Sequence, residues 1–229
     1  MSTQLSNLEI KVALLDIDGT LLDSNHAHTL SWMEILEKHG YHATYEKVRS
    51  LIGKGSDKLL PELTGSLVDS EQFTLLTEAR TSLFMTRFLP RLRPTNGARR
   101  MLQKMRSECL RIVVATSAGK ELSKMLRQAN VEDLVELSAT LDDANNSKPD
   151  GDIVVAALKK AGVSPRQALM FGDTPYDIVA ARAAGVACVA LRCGGWWEDS
   201  ALNEAIALFD DPAAVARAWP KHLLRFTSH

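Results

Sequence analysis

Cysteine is scarce in this sequence, with three residues among 229: Cys109, Cys188 and Cys193. Their number is odd, no two form a Cys-x-x-Cys pair, and two of them lie in or beside apolar, strand-like runs. We therefore predict reduced thiols rather than a disulfide framework, and a cytoplasmic protein. The lack of a Cys-x-x-Cys pair also argues against a metal site built on cysteine.

Long apolar runs and an excess of one charge are lacking as well. No run approaches the roughly 20 apolar residues needed to span a bilayer, and residues 1–9 lack the apolar core of a signal peptide. The net charge is −1, since 27 lysines and arginines balance 28 aspartates and glutamates. We therefore expect neither nucleic acid nor a membrane as a partner.

The remaining composition is that of an ordinary globular protein, 45% hydrophobic and 24% charged. A chain of 229 residues can form one large domain, or one domain that carries a smaller one. We expect a monomer or a homodimer.

Short apolar runs recur along the chain, each followed by a helical pattern. The runs span residues 12–15, 112–115, 136–141 (the weakest of the first five), 168–171 and 186–191, with 205–209 as a sixth candidate. Continuous apolar runs of this length are typical of strands buried on both faces, as in a parallel sheet. Alternation with helices at 98–106, 122–129 and 153–161 predicts an α/β fold with a doubly wound, Rossmann-like parallel sheet.

One stretch interrupts this alternation. From about residue 25 to residue 91 the sequence shows only helical periodicity, with apolar stripes such as Phe73, Leu76, Ala79 and Leu83. The pattern predicts an all-helical domain inserted after the first strand. We place the α/β core at residues 1–23 and 92–229 and the helical insert, which we call the cap, at residues 24–91.

Polar side chains follow three of the predicted strands. These are Asp16 and Asp18 after the first, Thr116 and Ser117 after the second, and Asp173 and Asp177 after the fourth. Ligands of open α/β sheets bind beyond the carboxyl ends of the strands. Two like charges 4 Å apart repel by about 4 kcal/mol at an effective dielectric near 20. The clustered carboxylates therefore predict a hard cation such as Mg²⁺.

Several of these residues have an alternative, purely structural interpretation. Thr174 and Pro175 resemble the start of a helix, so Asp177 could simply be an acid favoured in its first turn. Thr116 and Ser117 could bind an anion, or they could cap a helix beginning near Lys120. A lone lysine such as Lys148 is ordinarily just solvated.

Taken together, the segments resemble a known family. Asp16-Ile17-Asp18-Gly19-Thr20, a strand ending in Thr116, Ser147-Lys148-Pro149, and Gly172-Asp173 with Asp177 occur in this order. They are similar to the four signature segments of the haloacid dehalogenase superfamily. The resemblance spans the chain from residue 12 to the run at 186–191.

The resemblance implies a role for each residue that takes part in the reaction. Asp16 matches the nucleophile that accepts the phosphoryl group as an aspartyl-phosphate. Asp18 matches the general acid and base. Thr116 matches the hydroxyl that binds the transferring phosphoryl group, helped by the backbone at Ser117, and Lys148 matches the lysine that orients the nucleophile and neutralises charge.

The resemblance also implies a Mg²⁺ site. Asp173 matches the metal ligand, joined by the Asp16 carboxylate and the main-chain carbonyl of Asp18. Asp177 matches the second acidic position, which holds the metal directly or through water.

The helical insert resembles the cap of the phosphoglycolate phosphatase and β-phosphoglucomutase subgroup. We therefore predict a Mg²⁺-dependent phosphatase that hydrolyses a small phosphorylated metabolite, a phosphate monoester. Mutase-like phosphoryl transfer is the alternative. It is disfavoured because this chain has Gly172-Asp173 where the mutase resembles Glu-Asp, and because residues 53–57 lack the mutase arginine. Lys54 could replace that arginine, so the alternative stays open.

A non-catalytic, protein-binding relative is a further alternative, but it would be expected to have lost Asp18, Lys148 or Asp173. A receiver module would be about half this length and would lack the helical insert.

Cap residues give weaker signals. His28 lies twelve residues after Asp16, where the mutase has a functional histidine, but the sequence favours an uninvolved histidine on the helix surface. Candidate substrate contacts, each with ordinary solvent exposure as the favoured alternative, are Arg49, Lys54 and Lys58. Trp196 and Trp197 could rim the pocket, although packing against the core is favoured.

Overall fold

The strands of the protein form one parallel sheet. In the computed structural model, which describes residues 10–68 and 70–219, the strands are Val12–Leu15 (β1), Arg111–Ala115 (β2), Leu137–Ala139 (β3), Ala168–Gly172 (β4), Ala187–Leu191 (β5) and Ala207–Phe209 (β6). Their order is β3-β2-β1-β4-β5-β6, with all neighbours parallel. The predicted fold class is confirmed. Residues 1–9, predicted not to be a signal peptide, lie outside the described residues.

Both faces of the sheet are buried, which explains the continuous apolar runs. Val12 and Leu14 of β1 point into one apolar cluster, and Ala13 and Leu15 point into the other. Successive side chains of a strand alternate between its two faces. A four-residue strand in the middle of the sheet therefore needs apolar residues at every position.

The helices divide into two groups. Those between β1 and β2 are Asn25–Lys38 (α1), Tyr45–Leu51 (α2), Ser56–Thr64 (α3), Glu71–Leu83 (α4) and Ala98–Ser107 (α5). Those after β2 are Leu122–Gln128 (α6), Asp152–Ala161 (α7), Pro175–Ala183 (α8) and Pro212–Ala218 (α9). Short 3₁₀ turns connect several of these elements, and a π-helical turn, Phe84–Phe88, continues α4.

Helices α1 to α4 form the cap and have an apolar cluster of their own. Trp32 and Leu36 of α1 pack there with Val48 of α2, Leu59 of α3 and Leu76 of α4. The cluster is separate from the two that cover the sheet. This agrees with an inserted helical domain, while its boundaries at residues 24 and 91 stay a prediction.

Two predicted strands are shorter in the structure. The run at 136–141 yields only Leu137–Ala139, because Thr140 and Asp143 form a capping box that starts a 3₁₀ turn. The run at 205–209 begins as a strand at Ala207. In the part of the chain that the structure describes, no helix is long and apolar enough to cross a membrane.

The central position of β1 makes it sensitive to cavities. Leu14 is 0% exposed and lies between Val113 of β2 and Met170 of β4. We expect Leu14→Ala to lower the free energy of unfolding by roughly 2–5 kcal/mol, measured by urea denaturation. The control Leu67→Ala removes a side chain that is 79% exposed, and should change it by no more than about 0.5 kcal/mol. Equal effects of the two substitutions would contradict this account of the core.

Candidate active site

The site lies where the order of the strands reverses. Strands β1, β2 and β3 progress toward one edge of the sheet and β4, β5 and β6 toward the other, so the crevice opens beyond the carboxyl ends of β1 and β4. Asp16 directly follows β1, and its backbone N–H donates to the carbonyl of Phe171 at 3.0 Å. This bond extends the β1–β4 ladder by one residue and fixes the backbone at Asp16.

Lys148 is the cation at the centre of the site. Its side chain is 1% exposed, and Nζ lies 2.6 Å from Asp16 Oδ1 and 2.7 Å from Asp177 Oδ1. Burial acts to lower the pKa of Lys148, but the charges of Asp16 and Asp177 outweigh it and raise the pKa above its ordinary value. Lys148 therefore stays charged, and it is not the solvated lysine of the alternative interpretation.

Asp177 has two functions at the start of α8. Its Oδ2 accepts hydrogen bonds from the backbone N–H of Thr174 at 3.1 Å and from Thr174 Oγ1 at 2.7 Å, while Oδ1 accepts from Lys148. Thr174 is the N-cap and Pro175 the first helical residue, as predicted. Asp177 therefore caps α8 through Oδ2 and belongs to the site through Oδ1.

Asp173 is held by polar groups from the β1 loop and from α1. Its Oδ1 accepts from Thr20 Oγ1 at 3.2 Å and its Oδ2 from Asn25 Nδ2 at 2.8 Å. Burial, followed by the charge of Asp177, raises the pKa of Asp173 to about 7. Burial also raises the pKa of Asp16, against the opposing charge of Lys148.

These carboxylates have the chemistry of a cation site. Asp16, Asp173 and Asp177 each offer an oxygen, and the three oxygens lie within 4.8 Å of one another. Burial, together with the neighbouring carboxylate charges, raises the pKa values of Asp16 and Asp173, so a bound cation would favour their charged forms. An all-oxygen donor set with uncompensated charge fits a hard divalent cation. Both oxygens of Asp173 accept from groups that carry no charge, whereas Asp177 pairs with the Lys148 ammonium, so Asp173 is the better placed of the two for a cation.

The structure corrects the interpretation of His28, which is buried at 6% exposure rather than on the helix surface. Its Nε2 lies 2.6 Å from Asp18 Oδ1, and its Nδ1 contacts Nη2 of Arg80. Arginine can only donate, so Nδ1 must be the acceptor and the proton of a neutral ring must lie on Nε2. His28 therefore donates its Nε2–H to Asp18.

Electrostatics agrees with this tautomer. Burial is the main cause that lowers the pKa of His28 below its ordinary value, so the ring is neutral at pH 7. Burial acts to raise the pKa of Asp18, but the contact with His28, together with the hydrogen bond from Ser24, outweighs it and lowers the pKa. Both donors act on Asp18 Oδ1, which leaves Oδ2 for other partners.

Arg80 was missed by the sequence interpretation. Its Nε donates to Ser31 Oγ at 3.2 Å, and its guanidinium carbon lies 5.1 Å from the ring centre of Trp32 and 5.0 Å from that of Phe84. A signal was available, since Leu76, Arg80 and Phe84 are spaced by four and share the buried stripe of one helical segment. A charged residue on such a stripe indicates a function.

Thr116 and Ser117 do not cap a helix, because α6 begins only at Leu122. Thr116 Oγ1 accepts from the backbone N–H of Ala118 at 3.1 Å, so its hydroxyl hydrogen is free to donate. Ser117 Oγ is buried and, among the residues described, has no hydrogen-bond partner. An unpaired buried hydroxyl is costly unless a ligand satisfies it.

A cavity of about 200 Å³ opens in front of Asp16 and Asp18. Thr116 and Ser117 line its core side, and the cap residues Trp32, Ile52, Lys54 and Leu59 line the opposite wall. Lys148, Asp173 and Asp177 do not line it. The cap therefore closes over the exposed side of Asp16, whereas the lysine and the other two carboxylates lie behind it.

Two of the predicted substrate contacts in the cap, Arg49 and Lys58, contact protein groups. Arg49 is 3% exposed, donates to the carbonyl of Gly194 and lies 5.5 Å from the ring centre of Trp196. Lys58 pairs with Asp150 at 2.8 Å. The favoured expectation of an exposed Arg49 is thus wrong, because the loop after β5 buries it.

Lys54 lines the cavity, but its ammonium pairs with Glu62 and lies 5.2 Å from the ring centre of Tyr176. Trp196 and Trp197 do not line the cavity. Trp197 packs on the apolar cluster at one face of the sheet, and Trp196 contacts Arg49 and Tyr45 of the cap.

The backbone at Gly55 approaches the core closely. Its N–H donates to Ser147 Oγ at 3.0 Å, and Ser147 N–H donates to Asp57 Oδ2 at 3.2 Å. A Cβ on Gly55 would collide with the Ser147 side chain. Two cap residues, Gly55 and Asp57, are therefore hydrogen-bonded to Ser147, which immediately precedes Lys148.

Comparison with known proteins agrees with this geometry. A family model of haloacid dehalogenase-like hydrolases matches residues 13–191, and the chain belongs to this family. It is an enzyme of the phosphoric monoester hydrolase class. Within the family it is similar to the phosphoglycolate phosphatase and β-phosphoglucomutase subgroup with a helical cap.

Three individual proteins illustrate the likeness. Validoxylamine A 7'-phosphate phosphatase of Streptomyces hygroscopicus subsp. limoneus is 28% identical, covering 92% of this chain and 97% of that protein. Phosphoglycolate phosphatase of Nitrosospira multiformis is 31% identical, covering 80% of this chain and 84% of that protein. The solved structure of a provisionally named β-phosphoglucomutase from Bacteroides vulgatus is 27% identical, with a TM-score of 0.82 over 93% of this chain and 89% of that one.

The Lys148 ion pairs make a testable contribution to stability. We expect Lys148→Met to lower the free energy of unfolding by roughly 3–5 kcal/mol at pH 7 in EDTA, because it leaves Asp16 and Asp177 buried without their cation. Urea denaturation provides the measurement. The control Lys160→Met breaks the more exposed pair with Asp143 and should cost at most about 1 kcal/mol. A loss no larger than that of the control would refute the central role of Lys148.

Proposed function

We propose that the protein hydrolyses a small phosphate monoester with Mg²⁺ through an aspartyl-phosphate on Asp16. The observation that carries the proposal is the position of Asp16 between Lys148 and the cavity. Lys148 holds Oδ1 at 2.6 Å, and Asp16 lines the cavity in front of it. A carboxylate with one oxygen fixed and the other available is suited to attack phosphorus from a defined direction.

The groups around the phosphoryl position favour its transfer. Thr116 donates its free hydroxyl hydrogen to a phosphoryl oxygen, and the unpaired hydroxyl of Ser117 gains a partner when the substrate binds. Lys148 offsets charge from behind Asp16. Phosphoryl transfer depends mainly on such positioning and charge compensation.

Asp18 transfers the proton. Its Oδ1 accepts hydrogen bonds from Ser24 and His28, so Oδ2 is left to protonate the leaving oxygen and later to accept a proton from water. The negative phosphoryl group raises the pKa of Asp18 as it binds, which favours the protonated form for the first step. His28 and Arg80 are positioning residues, because they act through Asp18.

The metal site uses the residues behind and beside Asp16. Asp16 and Asp173 would hold Mg²⁺ together with the main-chain carbonyl of Asp18, and Asp177 would support the site by holding Lys148. When bound, Mg²⁺ supplies positive charge that offsets the charge of the phosphoryl oxygens.

Phosphoryl transfer to a second hydroxyl, as in a mutase, is the alternative. The likeness to the Bacteroides vulgatus structure favours it. The cap segment disfavours it, because a second phosphate would need a cation there and the Lys54 ammonium pairs with Glu62. The free thiols of Cys109, Cys188 and Cys193 support the cytoplasmic location that we propose with this function.

The nucleophile can be tested directly. The protein should release phosphate from p-nitrophenyl phosphate or a small phosphate ester with Mg²⁺, and EDTA should abolish the release. Asp16→Asn should abolish it as well, because the amide cannot form the aspartyl-phosphate. Phosphate release is followed with a colorimetric assay. Full activity of the Asp16→Asn protein would rule out this mechanism.

Two further variants show how large a change in turnover to expect at the site and outside it. Asp18→Asn should slow turnover by about 10²–10⁴-fold, the usual contribution of acid–base catalysis. The matched control Asp23→Asn changes an exposed aspartate outside the cavity and should keep turnover within about twofold.

Metal affinity should depend on pH through Asp173. Its pKa of about 7 in the metal-free protein means that protons compete with Mg²⁺ below pH 7. The Kd for Mg²⁺ should therefore fall as pH rises to 7, by up to about tenfold per unit, and then level off. Calorimetric titration of the EDTA-treated protein measures it, with Asp23→Asn as a control that keeps the dependence. An affinity independent of pH between about 5.5 and 8.5 would contradict the assignment of Asp173 as a ligand.

A further inference from the structure

The cavity continues past Asp18 toward a second set of polar residues. Thr77, Arg80 and Thr81 of α4 line it, together with Glu121 and Asp142 of the core loops. We call these five residues the leaving-group end. Arg80 reaches Asp18 through His28, so this end lies on the side where the leaving oxygen would receive its proton.

The guanidinium group of Arg80 is not wholly available to bind an anion. Its Nη2 contacts His28, its Nε donates to Ser31, and the rings of Trp32 and Phe84 lie near its guanidinium. Its charge is shared with Asp18 through His28. Two of its nitrogens are thus held by the protein, and the charges of Asp18 and Glu121 act on its guanidinium.

Glu121, in contrast, has a carboxylate without a partner. Its side chain is partly buried and, among residues 10–68 and 70–219, accepts no hydrogen bond and lies in no ion pair. Burial has the largest effect on the pKa values of His28 and Arg80, and the charge of Glu121 opposes it at both, which places Glu121 within electrostatic reach of each. Asp142 is a second carboxylate of the cavity wall, also unpaired among those residues.

A carboxylate that lines a cavity accepts hydrogen bonds and repels negative charge. An anionic leaving group, such as glycolate or a second phosphate, would meet the two carboxylates of Glu121 and Asp142 against the single charge of Arg80, on which Asp18 already acts. Hydroxyl groups would donate to both. Thr77 Oγ1 donates to the carbonyl of Phe73 at 2.7 Å and can accept from a further hydroxyl, and the Thr81 hydroxyl can donate or accept.

The remaining wall limits the size and shape of the leaving group. Trp32, Ile52 and Leu59 provide apolar surface on the cap side, suited to the C–H face of a ring. The cavity volume of about 200 Å³ lies below the roughly 300–1,000 Å³ of sites for drug-sized ligands. A single ring fits these limits better than a nucleotide.

We propose that the leaving group is an uncharged polyol with one ring, such as a sugar or a cyclitol, and that Glu121 determines this specificity by accepting its hydroxyl hydrogens. This inference rests on the phosphatase function proposed above. It narrows the substrate from any small phosphate monoester to a neutral polyol phosphate, and it excludes phosphoglycolate as the preferred substrate.

The test compares kcat/KM of the full chain with Mg²⁺ for hexose, pentose and inositol monophosphates, phosphoglycolate and p-nitrophenyl phosphate. The best polyol phosphate should exceed phosphoglycolate by at least about tenfold. Glu121→Gln should lower kcat/KM for that polyol roughly 10- to 100-fold, mainly through KM, and should raise the ratio of phosphoglycolate to polyol activity.

Two variants serve as controls for the role of charge. Glu78→Gln makes the same change at an exposed position of α4 outside the cavity, and should leave every kcat/KM value unchanged. Glu121→Asp keeps the charge and should retain the preference for polyols over phosphoglycolate. Circular dichroism of each variant shows that it is folded.

Two results would overturn the inference while leaving the phosphatase intact. One is a preference for phosphoglycolate over every polyol phosphate. The other is an unchanged ratio between the two classes in Glu121→Gln. Failure to hydrolyse any ester, p-nitrophenyl phosphate included, would instead overturn the proposed function and this inference with it.

Discussion

The site depends on one constraint, the burial of several carboxylates around a single ammonium group. Asp16, Asp173 and Asp177 converge at the carboxyl edge of the sheet, and Lys148 bridges two of them. A buried cation and carboxylate cost free energy when either is removed alone. The two ion pairs therefore fix the loop that carries Lys148 against the first turn of α8 and against Asp16. A bound metal ion would balance the remaining negative charge.

The cap is held by residues next to these same groups. Gly55 and Asp57 bond to Ser147, which precedes Lys148, and Tyr176, which precedes Asp177, donates to the carbonyl of Ser50 at 2.6 Å. The same short segments, around Ser147 and Tyr176, thus hold the cap in place and carry the charged residues behind Asp16. Asp16 is 7% exposed in the cavity that the cap lines, and low exposure to water strengthens the electrostatic interactions around it.

How far the site could be predicted depends on how each residue reaches it. Asp16, Asp18 and Asp173 follow buried strands directly, so strand order and pleat are enough to bring them together. His28 and Arg80 come from the helical insert, and their contacts depend on how α1 and α4 pack. Helical periodicity predicts a buried stripe but not which polar group of the core it meets, so His28 was wrongly placed on the surface and Arg80 was missed.

The amino-acid sequence by itself determined the parallel sheet, the helical insert and the acids at the strand ends, because these follow from local periodicity and from residues next to each other in the chain. Only the tertiary structure decided that Lys148 lies between Asp16 and Asp177, that Arg49 packs under the loop after β5, and that Glu121 stays unpaired among the described residues at the cavity wall. The physical reason is packing. Side chains on the loops and on the cap acquire their partners and electrostatic surroundings only when these segments pack on the sheet, which local periodicity does not specify.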